Sequence, residues 1–213
     1  MDEYKRGVIE KRIQKTMQAL QRNKMQPFFA KDRKEALKIV QDLLLPGQTV
    51  TCGGSVTLEE CGIIDLLKTG NYNYLDRNQP DLTPDQRKAI FRQAFSADVY
   101  LMSSNAITEE GELYNVDGNS NRIAALAYGP DSVIVVAGYN KIVPDLEAAV
   151  ERVRQVAAPV NAARLHCNTP CAKAGECMDC HSDARICCNY LISAQQRHKD
   201  RIKVILVGEE LGY

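Results

Sequence analysis

The sequence predicts an α/β domain of three layers, a mostly parallel sheet covered by helices on both faces. Three observations carry that expectation. β-prone runs and amphipathic helical stretches alternate along the chain, the pattern of a parallel sheet wound with crossover helices. The strongest run, Ser132 to Ala137, is apolar without interruption, as strands buried on both faces are. With 213 residues, 45% of them hydrophobic, the chain can bury a full core without staples.

Taken in order, Val8, Ile9, Ile13, Met17 and Leu20 recur at helical spacing between charged residues, which predicts an N-terminal amphipathic helix within residues 1–26. Asp32 to Leu45 reads as a second helix, with Asp32 as its cap and Pro46-Gly47 as its stop. Gln48 to Cys52 is a short strand. Gly53-Gly54-Ser55 then turns into a helix from Thr57 to Leu67, capped by Ser55 or Thr57. Asn73 to Leu75 is β-prone, and Thr83-Pro84-Asp85-Gln86 is a helix start. Asp98 to Ser103 is a buried strand, Glu112 to Val116 alternates weakly, and Asn119 to Ala127 is helical up to Gly129-Pro130. After the apolar strand, Asp145 to Ala157 supplies a crossover helix with Leu146, Ala149, Val150 and Val153 inward, and Lys203 to Val207 is the last strand. The whole of 1–213 reads as one α/β domain, with a cysteine-rich insertion at 166–189 before that last strand.

Lysine plus arginine and aspartate plus glutamate balance at 27 each, so no overall field favours nucleic acid or an anionic membrane surface. The charged N-terminus lacks the apolar core of a signal peptide, and the longest apolar runs fall far short of the ~20 residues of a membrane span. The expectation is a soluble, cytoplasmic protein whose thiols stay reduced.

Six of the eight cysteines fall in Cys167-x3-Cys171-x5-Cys177-x2-Cys180-x6-Cys187-Cys188. A disulfide framework is not expected in a reduced compartment and a chain this long. Thiolates are soft ligands, and Cys171, Cys177, Cys180 and Cys187 form the best quartet, with Cys167 and Cys188 as spare ligands and His166 and His181 as substitutes. An iron-sulfur cluster, 4Fe-4S in type, is the first reading. Zinc is the alternative, weakened because only one Cys-x2-Cys pair is present where a zinc ribbon brings two. A thiol redox role or plain burial of small apolar side chains stays open as well.

Gly53, Gly54, Ser55 and Thr57 have the grammar of an anion site, backbone amides exposed by glycine at a strand-to-helix turn, although a tight turn with capping hydroxyls has the same composition. The loop from Asn105 to Arg122 is dense in amides and carboxylates. Asn121 and Arg122 lie near a helix start where an anion is welcome, and Glu109 or Asp117 has the chemistry of an acid or base. Lys141 follows the strongest strand, at the carboxyl edge where α/β sheets bind ligands.

Gly53-Gly-Ser-Val-Thr-Leu58, Asn105-Ala-Ile-Thr-Glu-Glu-Gly111, Val116-Asp-Gly-Asn-Ser-Asn-Arg122 and Gly138-Tyr-Asn-Lys-Ile-Val143 together resemble the LUD, or lactate-utilisation, domain. The resemblance runs over nearly the whole chain, and through Ala158-Pro-Val-Asn161, Pro170-Cys171 and Arg185-Ile-Cys187 it extends to a cysteine-bearing branch of single-domain members. It implies a fold similar to the family of glucosamine-6-phosphate deaminase, ribose-5-phosphate isomerase and CoA transferases. It also implies an association with lactate oxidation beside iron-sulfur proteins. The reading is a cluster-bearing protein of hydroxy-acid redox metabolism, with Glu109 and Lys141 as catalytic candidates. Its partners are a small anionic metabolite and redox proteins, with homo-oligomerisation open. The alternative is a non-redox enzyme or sensor for a sugar-phosphate or acyl-CoA-like ligand, with structural zinc.

Overall fold

Alternate residues of the apolar strand Ser132–Gly138 point into two different cores, and the molecule is built around that division. Val133, Val135 and Ala137 join Ile13, Leu20, Met102, Val204 and Leu206 on one face. Ile134 and Val136 join Val40, Leu58, Leu67, Leu101, Ile205 and Val207 on the other. This computed structural model describes residues 2–213.

The chain begins with α1 (Glu3–Arg22), β1 (Gln26–Ala30), α2 (Arg33–Leu43) and β2 (Thr49–Cys52). Two short helices, α3 (Val56–Glu60) and α4 (Ile63–Thr69), lead to β3 (Asn73–Tyr74), α5 (Pro84–Gln93) and β4 (Val99–Met102). Then come β5 (Ala106–Thr108), β6 (Leu113–Asp117), α6 (Asn121–Tyr128), β7 (Ser132–Gly138) and β8 (Ile142–Val143). The chain closes with α7 (Leu146–Arg152), α8 (Ala158–Arg164), α9 (Pro170–Ala174), β9 (Asn189–Ser193) and β10 (Ile202–Val207). Six strands pair in parallel in the order β1-β10-β7-β4-β2-β3, flanked by helices, so the molecule is the three-layer α/β/α structure that the sequence predicts.

The caps obey local chemistry. Asp32 accepts a hydrogen bond from the Glu35 amide at 2.9 Å, Asp145 from Ala148 at 2.8 Å, and Thr83 and Gln86 close a reciprocal capping box on α5.

The N-terminal helix stops at Arg22 rather than running to residue 26, because Gln26–Ala30 is a strand, paired with β10 from Gln26↔Lys203 to Ala30↔Val207. Pro27 is tolerated there because β1 is an edge strand. The single helix expected from Thr57 to Leu67 is broken at Gly62, whose φ of 71° is left-handed, so α3 has only five residues. The helix expected to end near Ala157 runs on to Arg164 through a π-helical turn, Val153–Ala157. Pro159 is the cause: it has no N–H for the carbonyl four residues back and its ring crowds that carbonyl, so the turn widens. In α7 the inward residues are Ala149 and, just beyond it, Val153, whereas Leu146 is half-buried and Val150 is 39% exposed.

A second sheet, β8-β5-β6-β9, is absent from the sequence-based expectation. Its strands have two to five residues, too few to show a period, and β9 is mostly exposed. β9 pairs antiparallel with β6, so this short strand lies between the cysteine segment and the last strand.

Candidate functional site

The loops after the carboxyl ends of β2, β4 and β7 converge on one cavity of about 230 Å3, smaller than the ~300–1,000 Å3 clefts of drug-sized ligands and suited to a small metabolite. Gly54, Ser55 and Thr57 come from the first loop, Ser103 to Asn105 from the second, and Lys141 from the third. Asn121 and Arg122 at the start of α6, Arg77 beyond β3, Asn161 and Arg164 of α8, and Tyr213 complete the wall.

Lys141 is 2% exposed, and its Nζ donates to Thr57 Oγ1 at 3.0 Å and Ser103 Oγ at 2.9 Å. No carboxylate lies within 4.0 Å of it among the described residues. Burial, reinforced by the positive charges of Arg152 and Arg122, lowers its pKa from 10.5 to about 7. Arg77 and Arg164 also lack a carboxylate partner among the described residues. The Arg77 guanidinium lies 5.5 Å from the centre of the Phe91 ring, and that of Arg164 lies 6.0 Å from the centre of the Tyr213 ring. The buried Tyr213 hydroxyl has no hydrogen-bond partner among the described residues. A pocket with two guanidiniums that lack carboxylate partners and a free hydroxyl attracts anions.

Arg122 lines this pocket but has no donor to spare. Its Nε donates to Asp117 Oδ1 at 2.9 Å, its Nη1 to Ser103 O and Asn115 Oδ1, and its Nη2 to Asn105 Oδ1 and Val116 O, which uses all five N–H groups. Asp117 is equally committed: it also accepts from the amides of Arg122 and Ile123, both at 3.0 Å, and so caps α6. The pair braces the pocket floor. Gly53 sits beneath it, where an added Cβ would lie 3.1 Å from Arg122 Cδ, while a Cβ on Gly54 would meet Arg77 Nη2 at 2.8 Å. Ser55 is engaged as the cap of α3, accepting from Leu58 N at 3.3 Å.

Glu109 is elsewhere. Its carboxylate binds Arg12 at 2.6 Å and Lys15 at 2.7 Å, tying α1 to the turn after β5, and the hydrogen bond from Lys15 leads the causes that lower its pKa. Two candidates that sequence reasoning missed, Arg77 and Arg164, carry no local signal, since a loop arginine and a helix-terminal arginine are ordinary surface residues until the fold turns them to one cavity.

A second cavity, of about 260 Å3, is lined by all four thiols of the expected quartet, Cys171, Cys177, Cys180 and Cys187, whereas Cys167 and Cys188 lie outside it. Val150, Val153, Ala158, Met178 and Ile186 make the rest of its wall largely apolar. Asp179 N–H donates to Cys177 Sγ at 3.4 Å, and Thr169 Oγ1 lies 3.4 Å from Cys171 Sγ. Arg185 binds the carbonyls of Cys180 and Cys187 and, at 3.1 Å, the Tyr190 hydroxyl, which holds the segment against β9. Burial, followed by the neighbouring Cys177, pushes the Cys187 thiol up to about 11.

Among the described residues no three His, Cys, Asp or Glu side chains converge closely enough to hold a metal ion as they stand. The four thiols line one cavity, and their soft donors and the polar groups near two of the sulfurs have the chemistry of a thiolate-ligated centre.

The two cavities share a wall. Ile186 lines both, Ala157 faces the anion pocket and Ala158 the thiols. The π-helical turn lies under this partition, and Cys188 N–H fixes the segment to Asp117 O at 2.9 Å. Gly118 lets the two backbones approach, since a Cβ there would lie 3.3 Å from Ile186 Cα.

The structure is similar to a DUF162 family protein from Deinococcus radiodurans, with a TM-score of 0.52 and 16% sequence identity, covering 95% of this chain and 98% of that one. Partial likenesses to eIF2B beta and eIF2B delta from Chaetomium thermophilum have TM-scores of 0.38 and 0.35 at 14% and 17% identity, covering 54% and 50% of this chain and 40% and 46% of theirs. No curated protein matches the sequence. No helix among the described residues is long and apolar enough to cross a membrane. The LUD domain model matches residues 13–207, which include the β-sheet, the anion pocket's strand-end loops and the cysteine segment, and the chain belongs to the LUD domain family.

Proposed function

We propose that the chain is an iron-sulfur protein that binds a small hydroxy or oxo acid, of the lactate and pyruvate class, beside its cluster. Cys171, Cys177, Cys180 and Cys187 would ligate a 4Fe-4S centre, which supplies one-electron redox chemistry when bound. The chain's own contribution is placement. Arg77 and Arg164 receive the carboxylate, Lys141 with the Thr57 and Ser103 hydroxyls orients the neighbouring oxygen, and Arg122 with Asp117 holds those loops in register. The observation that carries this reading is the shared wall: one side chain, Ile186, lines both the thiol cavity and the anion pocket. Redox protein partners follow from the same reading, because a one-electron centre needs a donor or acceptor.

Anaerobic purification with iron and sulfide analysis tests the cluster. The expected result is a brown protein with about four irons per chain, colourless and iron-poor in Cys180→Ser, and an electron paramagnetic spectrum that changes when lactate or pyruvate is added. A colourless wild-type chain carrying stoichiometric zinc rejects the cluster. A cluster spectrum indifferent to both acids rejects the coupling of the two sites.

A further inference from the structure

The buried amine in the wall of the anion pocket has the surroundings of a nucleophile. We propose that Lys141 is a Schiff-base lysine, which condenses with the carbonyl carbon of a 2-oxo acid held in the pocket. The inference rests on the anion-pocket reading and deepens it by naming the oxidised member of the hydroxy-acid couple as the ligand the pocket retains.

The geometry supplies three requirements. First, Nζ is sequestered, with the side chain 2% exposed, yet it lines the cavity. Second, its partners are hydroxyls, Thr57 Oγ1 at 3.0 Å and Ser103 Oγ at 2.9 Å, rather than a carboxylate that would hold it as an ammonium. The facing charges act in the same sense: Arg152 and Arg122 favour the neutral amine, and Glu60 and Cys61 oppose them by less than burial and the two arginines contribute. Third, Arg77 and Arg164 line the same pocket with no carboxylate partner among the described residues, and so offer guanidiniums to the acid's carboxylate. A lysine that served only as a charge would gain from a carboxylate neighbour, and this one has none within 4.0 Å among the described residues.

In the step, the amine lone pair attacks C2 and the carbonyl oxygen takes up a proton, giving a carbinolamine. The C2–O bond then breaks. Oxygen leaves as water with both amine hydrogens, so nothing is oxidised or reduced, and Ser103 Oγ is placed to relay a proton to the departing oxygen. Hydrolysis returns the free lysine and the oxo acid.

The test uses the full chain, prepared anaerobically and incubated with pyruvate and cyanoborohydride near neutral pH, followed by intact-mass and peptide mapping. The expected result is a single adduct with the mass of pyruvic acid less one oxygen atom, on the peptide that contains Lys141. Lactate, which has no carbonyl, leaves no adduct and slows labelling by pyruvate. Lys141→Arg keeps a long nitrogen-bearing side chain but no nucleophilic amine, and loses the adduct. Lys141→Met replaces it if the bulk of arginine disturbs the fold, as a melting curve would reveal. Calorimetry with pyruvate separates the two levels of the reading. Binding without a trapped adduct, or an adduct spread equally over surface lysines, overturns the imine and leaves the anion pocket standing; no binding of pyruvate, lactate or phosphate overturns both.

Discussion

Replacing Arg122 with methionine would test whether this residue is a brace or a ligand arm. The side chain is 13% exposed and its partner Asp117 10%, with the closest contact at 2.7 Å. Truncation leaves Asp117 with its two backbone donors but without its countercharge, and it orphans the carbonyls of Ser103 and Val116 and the amide oxygen of Asn115, while Asn105 Oδ1 keeps the Val116 amide. Breaking a buried pair from one side costs about 3–5 kcal/mol, most of it the penalty of the stranded charge. For a chain of this length each kcal/mol lowers Tm by ~2–4 °C, so the expected drop is roughly 6–20 °C. Urea unfolding of Arg122→Met, Asp117→Asn and the double variant closes a mutant cycle. The double variant should recover much of the loss, with a coupling of about 2 kcal/mol or more. A loss below ~1 kcal/mol in Arg122→Met, with anion affinity abolished, would refute the brace and return Arg122 to the ligand.

Three further outcomes follow from other sites. Lys141→Met should be more stable than wild type at pH 6, by on the order of 1–3 kcal/mol, because each unit of pKa depression is worth ~1.4 kcal/mol and part of the gain is lost with the partner of Ser103. The sign follows from protons bound: between the folded value of about 7 and the unfolded 10.5 the unfolded chain holds the extra proton, so wild-type stability rises with pH and the two melting curves converge by the upper end. Glu109→Gln should cost about 1 kcal/mol by loosening α1 while pyruvate binding measured by calorimetry is unchanged; lost binding would put the carboxylate back in the chemistry. Gly111→Ala should lower stability by about 2 kcal/mol or more. Gly111 has φ of 80°, and its added Cβ would stand 2.6 Å from the backbone nitrogen of Leu20, so an unchanged melting temperature would contradict the contact between this turn and α1.

The legible parts of this protein were those governed by neighbours in the chain. Ser132–Gly138 declares itself by an unbroken apolar run, and Asp32, Thr83 and Asp145 by capping chemistry that needs only three residues. The four cysteines that line one cavity were separable from Cys167 and Cys188 by spacing. The second sheet was not legible, because β5, β6, β8 and β9 pair across tens of residues and are too short for periodicity. The π-helical turn was missed although Pro159 marked it, since a helix expected to end before that proline hid the signal.

By itself, then, the sequence determined the α/β class, the main buried strands, the crowding of six cysteines in one segment and the placing of Lys141 at a strand end. The tertiary structure alone decided what those groups face. It consumed all five donors of Arg122, took Glu109 to the N-terminal helix, and brought in Arg77 and Arg164 from distant segments. It also set the thiol cavity against the anion pocket across Ile186. The physical reason is range: caps, strands and ligand spacing are set by bonds within a few residues, whereas the charge balance of a pocket is a sum over side chains that meet only when the sheet closes.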